Sequence, residues 1–205
     1  MLTQDFAAAL RELSPLVEKM KMRAHALHDS VGQTYGGTHP YWVHLDMVAE
    51  ITAQYAADVC EDSADIAPIM FGAYFHDSIE DARLTYNDTM EIAREYMTES
   101  QALMAAEIVY ALTNEKGRTR AQRANERYYQ GIRNTPYAPL VKLADRLANT
   151  GFSASDNSEK NRTMHTVYSR EMPHFLQSIA ADSSDTRLCL PAPMVDAAKA
   201  LCLPL

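Results

Sequence analysis

An apolar run from Ile69 to Phe75 passes directly into His76-Asp77-Ser78-Ile79-Glu80-Asp81. The run reads as buried helix. Such a helix cannot end on an imidazole and three carboxylates unless something offsets their desolvation. A divalent cation is the simplest partner of that kind. The rest of the chain must then bring further ligands to the end of this helix.

Helical signals dominate the chain. Ser14-Pro15 reads as a cap with proline at the first helical position of a helix reaching about Leu27. Gly32, Gly36, Gly37 and Pro40 make 29–40 a loop. Helical spacing returns from Tyr41 to about Val59, followed by a short buried helix from Ile66 to His76. Thr85 caps a helix to about Met97, and another spans Gln101 to Leu112. After a turn at Asn114 to Gly117, helices are expected over Arg118–Arg133, from Pro136 to Leu147, over Asp156–Ala180 and around Val195–Leu201. No strand, repeat or dividing linker stands out. The expectation is one all-α domain over 1–205, with a core at about 14–180 and a proline-punctuated tail at 181–205.

Composition narrows the function. The 205 residues suffice for one substantial core, and 47% hydrophobic content is globular. A net charge of −8 argues against broad nucleic-acid binding, which rests on a basic face. An anionic small molecule remains admissible, because a local cation cluster or a metal overrides the global sign. No apolar stretch is long enough for a membrane span. The start lacks a secretory pattern, and three cysteines (Cys60, Cys189, Cys202) form no CxxC pair. A cytoplasmic protein is expected, without a membrane or nucleic-acid partner; self-association stays open.

Two further ligand candidates sit in apolar settings: His44 in Trp42-Val43-His44-Leu45 and Asp145 in Leu143-Ala144-Asp145-Arg146-Leu147. With His76 and Asp77 they make a two-His, two-Asp set, suited to Mn²⁺, Fe²⁺ or Zn²⁺. Glu80 and Asp81 lie four residues beyond His76 and Asp77, hence on the same side of a helix. Alone, each residue has a plainer reading: His44 as a core histidine, Asp145-Arg146 as a surface ion pair, Glu80 and Asp81 as a cap. His25, His28, His165 and His174 carry no motif and read as surface or structural.

The order H…HD…D resembles the HD-domain phosphohydrolases. The strings AYFHDSIEDARLTYNDTMEIA and PLVKLADRLANT are similar to the RelA/SpoT hydrolase branch and the small alarmone hydrolases, across roughly Tyr41 to Asn149. That resemblance implies a helical bundle of about eight to ten helices. It implies His44, His76, Asp77 and Asp145 as ligands of Mn²⁺, and Glu80 with Asp81 as the water-activating acids. Asn149, Lys142, Arg146 and Tyr168 are implied to border the substrate. His39-Pro40 is a rival for the first ligand, since it keeps the family's His-Pro dipeptide; the preceding Pro40-Tyr41 favours His44. The implied reaction is (p)ppGpp 3′-pyrophosphate hydrolysis. Alternatives are hydrolysis of a dNTP, NTP or nucleoside monophosphate, or nucleotide binding without turnover.

Three departures bear on the substrate. The family's Arg-Lys pair before the first histidine is replaced by His28-Asp29-Ser30-Val31-Gly32-Gln33-Thr34-Tyr35, which has no basic residue. Ala148 and Thr150-Gly151 stand where the family has a histidine and a second arginine. The His44–His76 spacing is long, consistent with an insertion near 58–65. The basic run Lys116, Arg118, Arg120 and Arg123 reads either as a solvated face or as a replacement phosphate grip.

Overall fold

The protein is seen in a computed structural model that describes residues 1–155 and 158–202. Among these, eleven α-helices form: α1 Thr3–Glu12, α2 Ser14–Ser30, α3 Trp42–Tyr55, α4 Ile66–Phe75, α5 Tyr86–Arg94, α6 Glu99–Leu112, α7 Arg120–Arg123, α8 Glu126–Asn134, α9 Ala138–Ser155, α10 Glu159–Ile179 and α11 Ala192–Ala200. The all-α expectation holds, with the count just above eight to ten because α7 is a single turn. The one exception is a two-residue pairing of β1 (Thr34–Tyr35) with β2 (His39–Pro40), antiparallel, inside the expected loop. Short 3-10 turns at Ala56–Asp58 and Ser63–Asp65 fill the region expected to hold an insertion.

Four boundaries differ from the sequence reading for identifiable reasons. Helix α1 lies before the expected core, and its Phe6 is buried. Ser14 is the first residue of α2 and makes no capping bond; Leu13 precedes it in helical geometry, so α1 runs almost directly into α2. The expected helix over 118–133 is two helices, because Thr119 caps α7 and Asn125 accepts from the Tyr128 N–H to cap α8. Helix α9 continues past Leu147 to Ser155, since Ala148, Thr150 and Ser153 are still buried. The expected helix start at Asp156 lies outside the described residues.

Helix α4 is the axis of the bundle. All ten of its residues are buried, so it lacks an amphipathic face and must be enclosed by neighbours. Helices α2, α3, α6 and α9 supply that enclosure. Gly72 permits the close approach of α6, because a Cβ there would sit 2.5 Å from Ile108 Cγ2. Phe71 and Phe75 stack at 4.1 Å and both are fully buried. Replacing such a phenylalanine by alanine costs about 3–5 kcal/mol.

The start of α9 is fixed by Tyr137, a fully buried residue with φ 65°. Its N–H donates to the Arg187 carbonyl at 2.6 Å, and its hydroxyl donates to Asp65 Oδ2 at 2.5 Å. Left-handed backbone at a non-glycine residue persists only where surroundings over-determine it, as these contacts do. The anchoring sets where Asp145 falls along α9, two turns further on.

Candidate metal centre

Three helices meet at the C-terminal end of α4. His44 stands in the first turn of α3, His76 follows the last residue of α4, Asp77 is next to it, and Asp145 lies mid-way along α9. His44 and His76 are 1% exposed, and Asp145 is 9% exposed. His44 Nε2 lies 3.2 Å from His76 Nε2 and 3.4 Å from Asp145 Oδ1. Asp77 Oδ2 is 3.0 Å from His76 Nε2 and 3.7 Å from His44 Nε2. One donor atom from each of His44, His76 and Asp145 falls within 4.8 Å of the others. His39 lies away from this group, on the exposed β2 strand with its ring edge-on to Phe152.

The chemistry of this donor set fits a divalent cation. His76 Nδ1 donates to the Ala73 carbonyl at 2.9 Å, which in the neutral ring leaves the lone pair on Nε2, facing the cluster. Burial disfavours charge on His76, yet the Asp77 carboxylate overrides it and lifts the imidazole to about 9. Burial works against the Asp77 charge too, but His76 holds that carboxyl well below the usual range. Asp145 behaves likewise: against its burial, the Lys142 ammonium keeps it ionised, with Nζ 2.9 Å from Oδ2. The two imidazoles and the Asp145 carboxylate form a group that could hold a cation, with the Asp77 carboxylate beside it.

Residues around the cluster hold it in place, and the sequence did not single them out. The Tyr41 hydroxyl donates to Asp77 Oδ2. His28 stacks on the Tyr41 ring at 4.8 Å and donates from Nδ1 to Gln33 Oε1 at 2.7 Å. Fully buried, His28 is therefore structural rather than a surface residue. Tyr41 carried a legible signal, since it follows Pro40 in the segment that selects His44. His28 carried none, because its burial comes from the fold.

Residues 76–81 are turn rather than continued helix. Two helical bonds survive, Asp81 N–H to the Asp77 carbonyl at 2.8 Å and Ala82 N–H to the Ser78 carbonyl at 3.1 Å. The acid pair diverges across this turn. Glu80 is exposed and accepts from Asn114, from its backbone N–H and from Nδ2 at 3.1 Å. Asp81 faces the Gln33 and Tyr41 side chains. Desolvation raises both carboxyls above their ordinary values, and the nearby Asp77 charge adds to this in each. Asn114 opens the turn expected from the sequence at Asn114 to Gly117.

A cavity of about 200 Å³ opens beside Asp145. Lys142, Arg146, Asn149 and Tyr168 all line it, together with Arg120, Arg123, Asn114 and Tyr128. Arg120 and Arg146 both donate to Glu171 Oε2, at 2.9 and 2.8 Å. Their guanidiniums lie 5.4 and 5.0 Å from the centre of the Tyr168 ring, as cation–π contacts. Arg123 has no acidic partner within 4 Å among the described residues. Of the basic run, Arg120 and Arg123 reach the cavity; Lys116 and Arg118 do not line it. Asn149 is engaged internally as well, donating from Nδ2 to Asp145 Oδ1 at 2.6 Å.

No helix among the described residues is long and apolar enough to cross a membrane. No curated protein matches the chain. The HD domain matches residues 41–150, more than half of the chain, and this span carries His44, His76, Asp77, Glu80, Asp81 and Asp145. With that match and this cluster, the chain belongs to the HD domain family and is a metal-dependent hydrolase of the phosphohydrolase type.

Proposed function

We propose that this protein hydrolyses the 3′-pyrophosphate of guanosine alarmones, (p)ppGpp, releasing pyrophosphate and GDP or GTP in the cytoplasm. The observation that carries the proposal is the cavity at Asp145, where a two-His, two-Asp cluster adjoins a wall of four cations. A substrate with phosphate groups at two positions needs such neutralisation, and a chain of net charge −8 provides it only locally.

His44, His76, Asp77 and Asp145 would hold the ion, which we take to be Mn²⁺. When bound, a divalent metal acidifies water and polarises a phosphoryl oxygen. The chain's own groups then have distinct tasks. Glu80, whose carboxyl is raised by desolvation and the nearby Asp77 charge and is held by Asn114, takes the proton of the attacking water as its oxygen bonds to phosphorus. The bond from phosphorus to the ribose 3′-oxygen breaks, and that oxygen regains a proton from solvent. Asp81, turned toward Tyr41 and Gln33, is the second candidate to take the proton of the attacking water. Lys142, Arg146 and Arg123 offset phosphate charge, and Asn149 and Tyr168 shape the cavity.

One observation favours a second reading, hydrolysis of another nucleotide. No cation lies on the segment from His28 to Tyr35, so this side of the centre lacks the pair that the alarmone hydrolases use to hold the nucleotide. A nucleotide panel with Mn²⁺, read by product identity, separates the two. Pyrophosphate and GDP from ppGpp support the first reading. Turnover of dNTPs or nucleoside monophosphates with ppGpp untouched replaces it by the second. Nucleotide binding without turnover by the metal-loaded protein would favour a regulatory role.

A further inference from the structure

The segment that lacks the cations carries Tyr35 instead, and Tyr35 reaches two residues of the centre at once. It stands on β1 opposite His39 of β2. Its ring, 9% exposed, stacks on the His44 imidazole at 4.9 Å and an interplanar angle of 24°. Its hydroxyl lies 3.1 Å from Asn149 Oδ1. Asn149 Nδ2 in turn donates to Asp145 Oδ1 at 2.6 Å and to the Asp145 carbonyl at 3.1 Å. Asp145 Oδ1 is the oxygen facing His44 Nε2 at 3.4 Å.

The polarity of this chain is fixed by elimination. Turning the Asn149 amide over would set its oxygen against Asp145 Oδ1 at 2.6 Å, two acceptors in contact. The amide nitrogen must therefore face Asp145, the amide oxygen must face outward, and the Tyr35 hydroxyl must donate to it. The hairpin holds Tyr35 in place. Gly36, at φ 61°, follows it in a conformation that favours glycine, and a Cβ there would lie 2.6 Å from the Phe152 ring. That same ring packs against Tyr35 at 4.5 Å.

We infer that Tyr35 is a positioning residue for the metal centre: its ring fixes His44, and its hydroxyl, through Asn149, fixes the ligand oxygen of Asp145. The inference rests on the proposed metal-binding role of His44 and Asp145. It assigns to the β1–β2 hairpin the orienting of ligands, in place of direct contact with the nucleotide. Residues bonded to metal ligands, without touching the metal, commonly govern affinity by 10- to 100-fold.

The test is Tyr35→Phe, which keeps the ring on His44 and removes only the hydroxyl. Calorimetric titration with Mn²⁺ should give a dissociation constant about 10- to 100-fold weaker than wild type. The metal-free melting temperature should stay close to wild type, as a merely structural role would not allow. Adding Asn149→Ala to Tyr35→Phe should weaken binding no further than Asn149→Ala alone, because both act through one hydrogen bond. Wild-type Mn²⁺ affinity in Tyr35→Phe, or losses that multiply in the double variant, overturns the inference. Should wild-type protein take up no Mn²⁺, Fe²⁺ or Zn²⁺, the metal-centre reading fails by itself. The Asn149 side-chain amide then decides: its Nδ2 protons, slow to exchange in wild type, must exchange faster in Tyr35→Phe, and unchanged exchange rejects the role of the hydroxyl.

Discussion

Asp145 and Lys142 lie three residues apart on α9, yet they belong to regions built in opposite ways. The ligand cluster sits where α3, α4 and α9 pack in the core, and His44 and His76 have almost no exposure. The cationic wall is drawn from α7 and α9, with Tyr168 of α10 beside it; its Arg120 is 47% exposed, and α7 is a single turn held by Thr119. Ligands fixed by buried helices cannot move without disturbing the bundle. Arginines on a short, half-exposed helix can be exchanged or redirected at little cost to folding. The centre therefore commits the protein to one kind of chemistry, and the wall leaves the substrate adjustable.

If that contrast is right, substitutions in the two regions should fall into different classes. The largest effect is expected from Asp77→Ala, which removes a ligand candidate bonded to Tyr41 and His76. Metal-dependent turnover should fall on the order of 10³-fold or more, measured at saturating Mn²⁺ and substrate. Retained turnover would mean that Asp77 lies outside the reacting centre.

Glu80→Gln should come next, lowering kcat by about 10²- to 10⁴-fold while Mn²⁺ uptake persists. The pH dependence carries a sign. The Glu80 carboxyl is raised above its ordinary value of 4.5, and only its ionised form can accept a proton. Activity should accordingly be full above the raised value and vanish as pH falls through it. The acidic limb of kcat/KM then lies above the ordinary glutamate value, and Glu80→Gln removes it. A limb at ordinary carboxylate pH, unchanged in the variant, points to another base.

On the wall, effects should shift to KM. Arg123→Ala, at the cation without an acidic partner among the described residues, should raise KM about tenfold with kcat nearly unchanged, since a charged contact contributes roughly 1.5–3 kcal/mol and part is solvent-screened. The smallest change is expected for Glu171→Gln. It loosens the two arginines on Tyr168, but ion pairs this exposed contribute at most about 1 kcal/mol, so KM should move less than about fivefold. A loss of kcat from either variant would erase the distinction between centre and wall.

The same contrast governs what could be read from the amino acids. Ile69 to Phe75 announces a helix without a polar face, and a polar cluster after it is legible because it breaks the pattern. His44 and Asp145 were visible for the same reason, as polar residues in apolar strings. Tyr35 and His28 were not, because their roles depend on ring stacking that only the folded loop before α3 brings about. The division of residues 118–134 into α7 and α8 turns on the Thr119 and Asn125 caps, a local signal overridden by apparent helical continuity. The extension of α9 to Ser155 depends on burial against the rest of the bundle, which spacing alone does not encode. Glu80 and Asp81 are evident in the sequence, but their divergence across a turn is not.

The most direct test of the centre compares metal content in three proteins purified and loaded with Mn²⁺ under identical conditions: wild type, His44→Ala and His39→Ala. The account predicts bound metal in wild type and in His39→Ala, and its loss in His44→Ala. Metal retained by His44→Ala and lost from His39→Ala would contradict it, and would move the centre away from the junction of α3, α4 and α9.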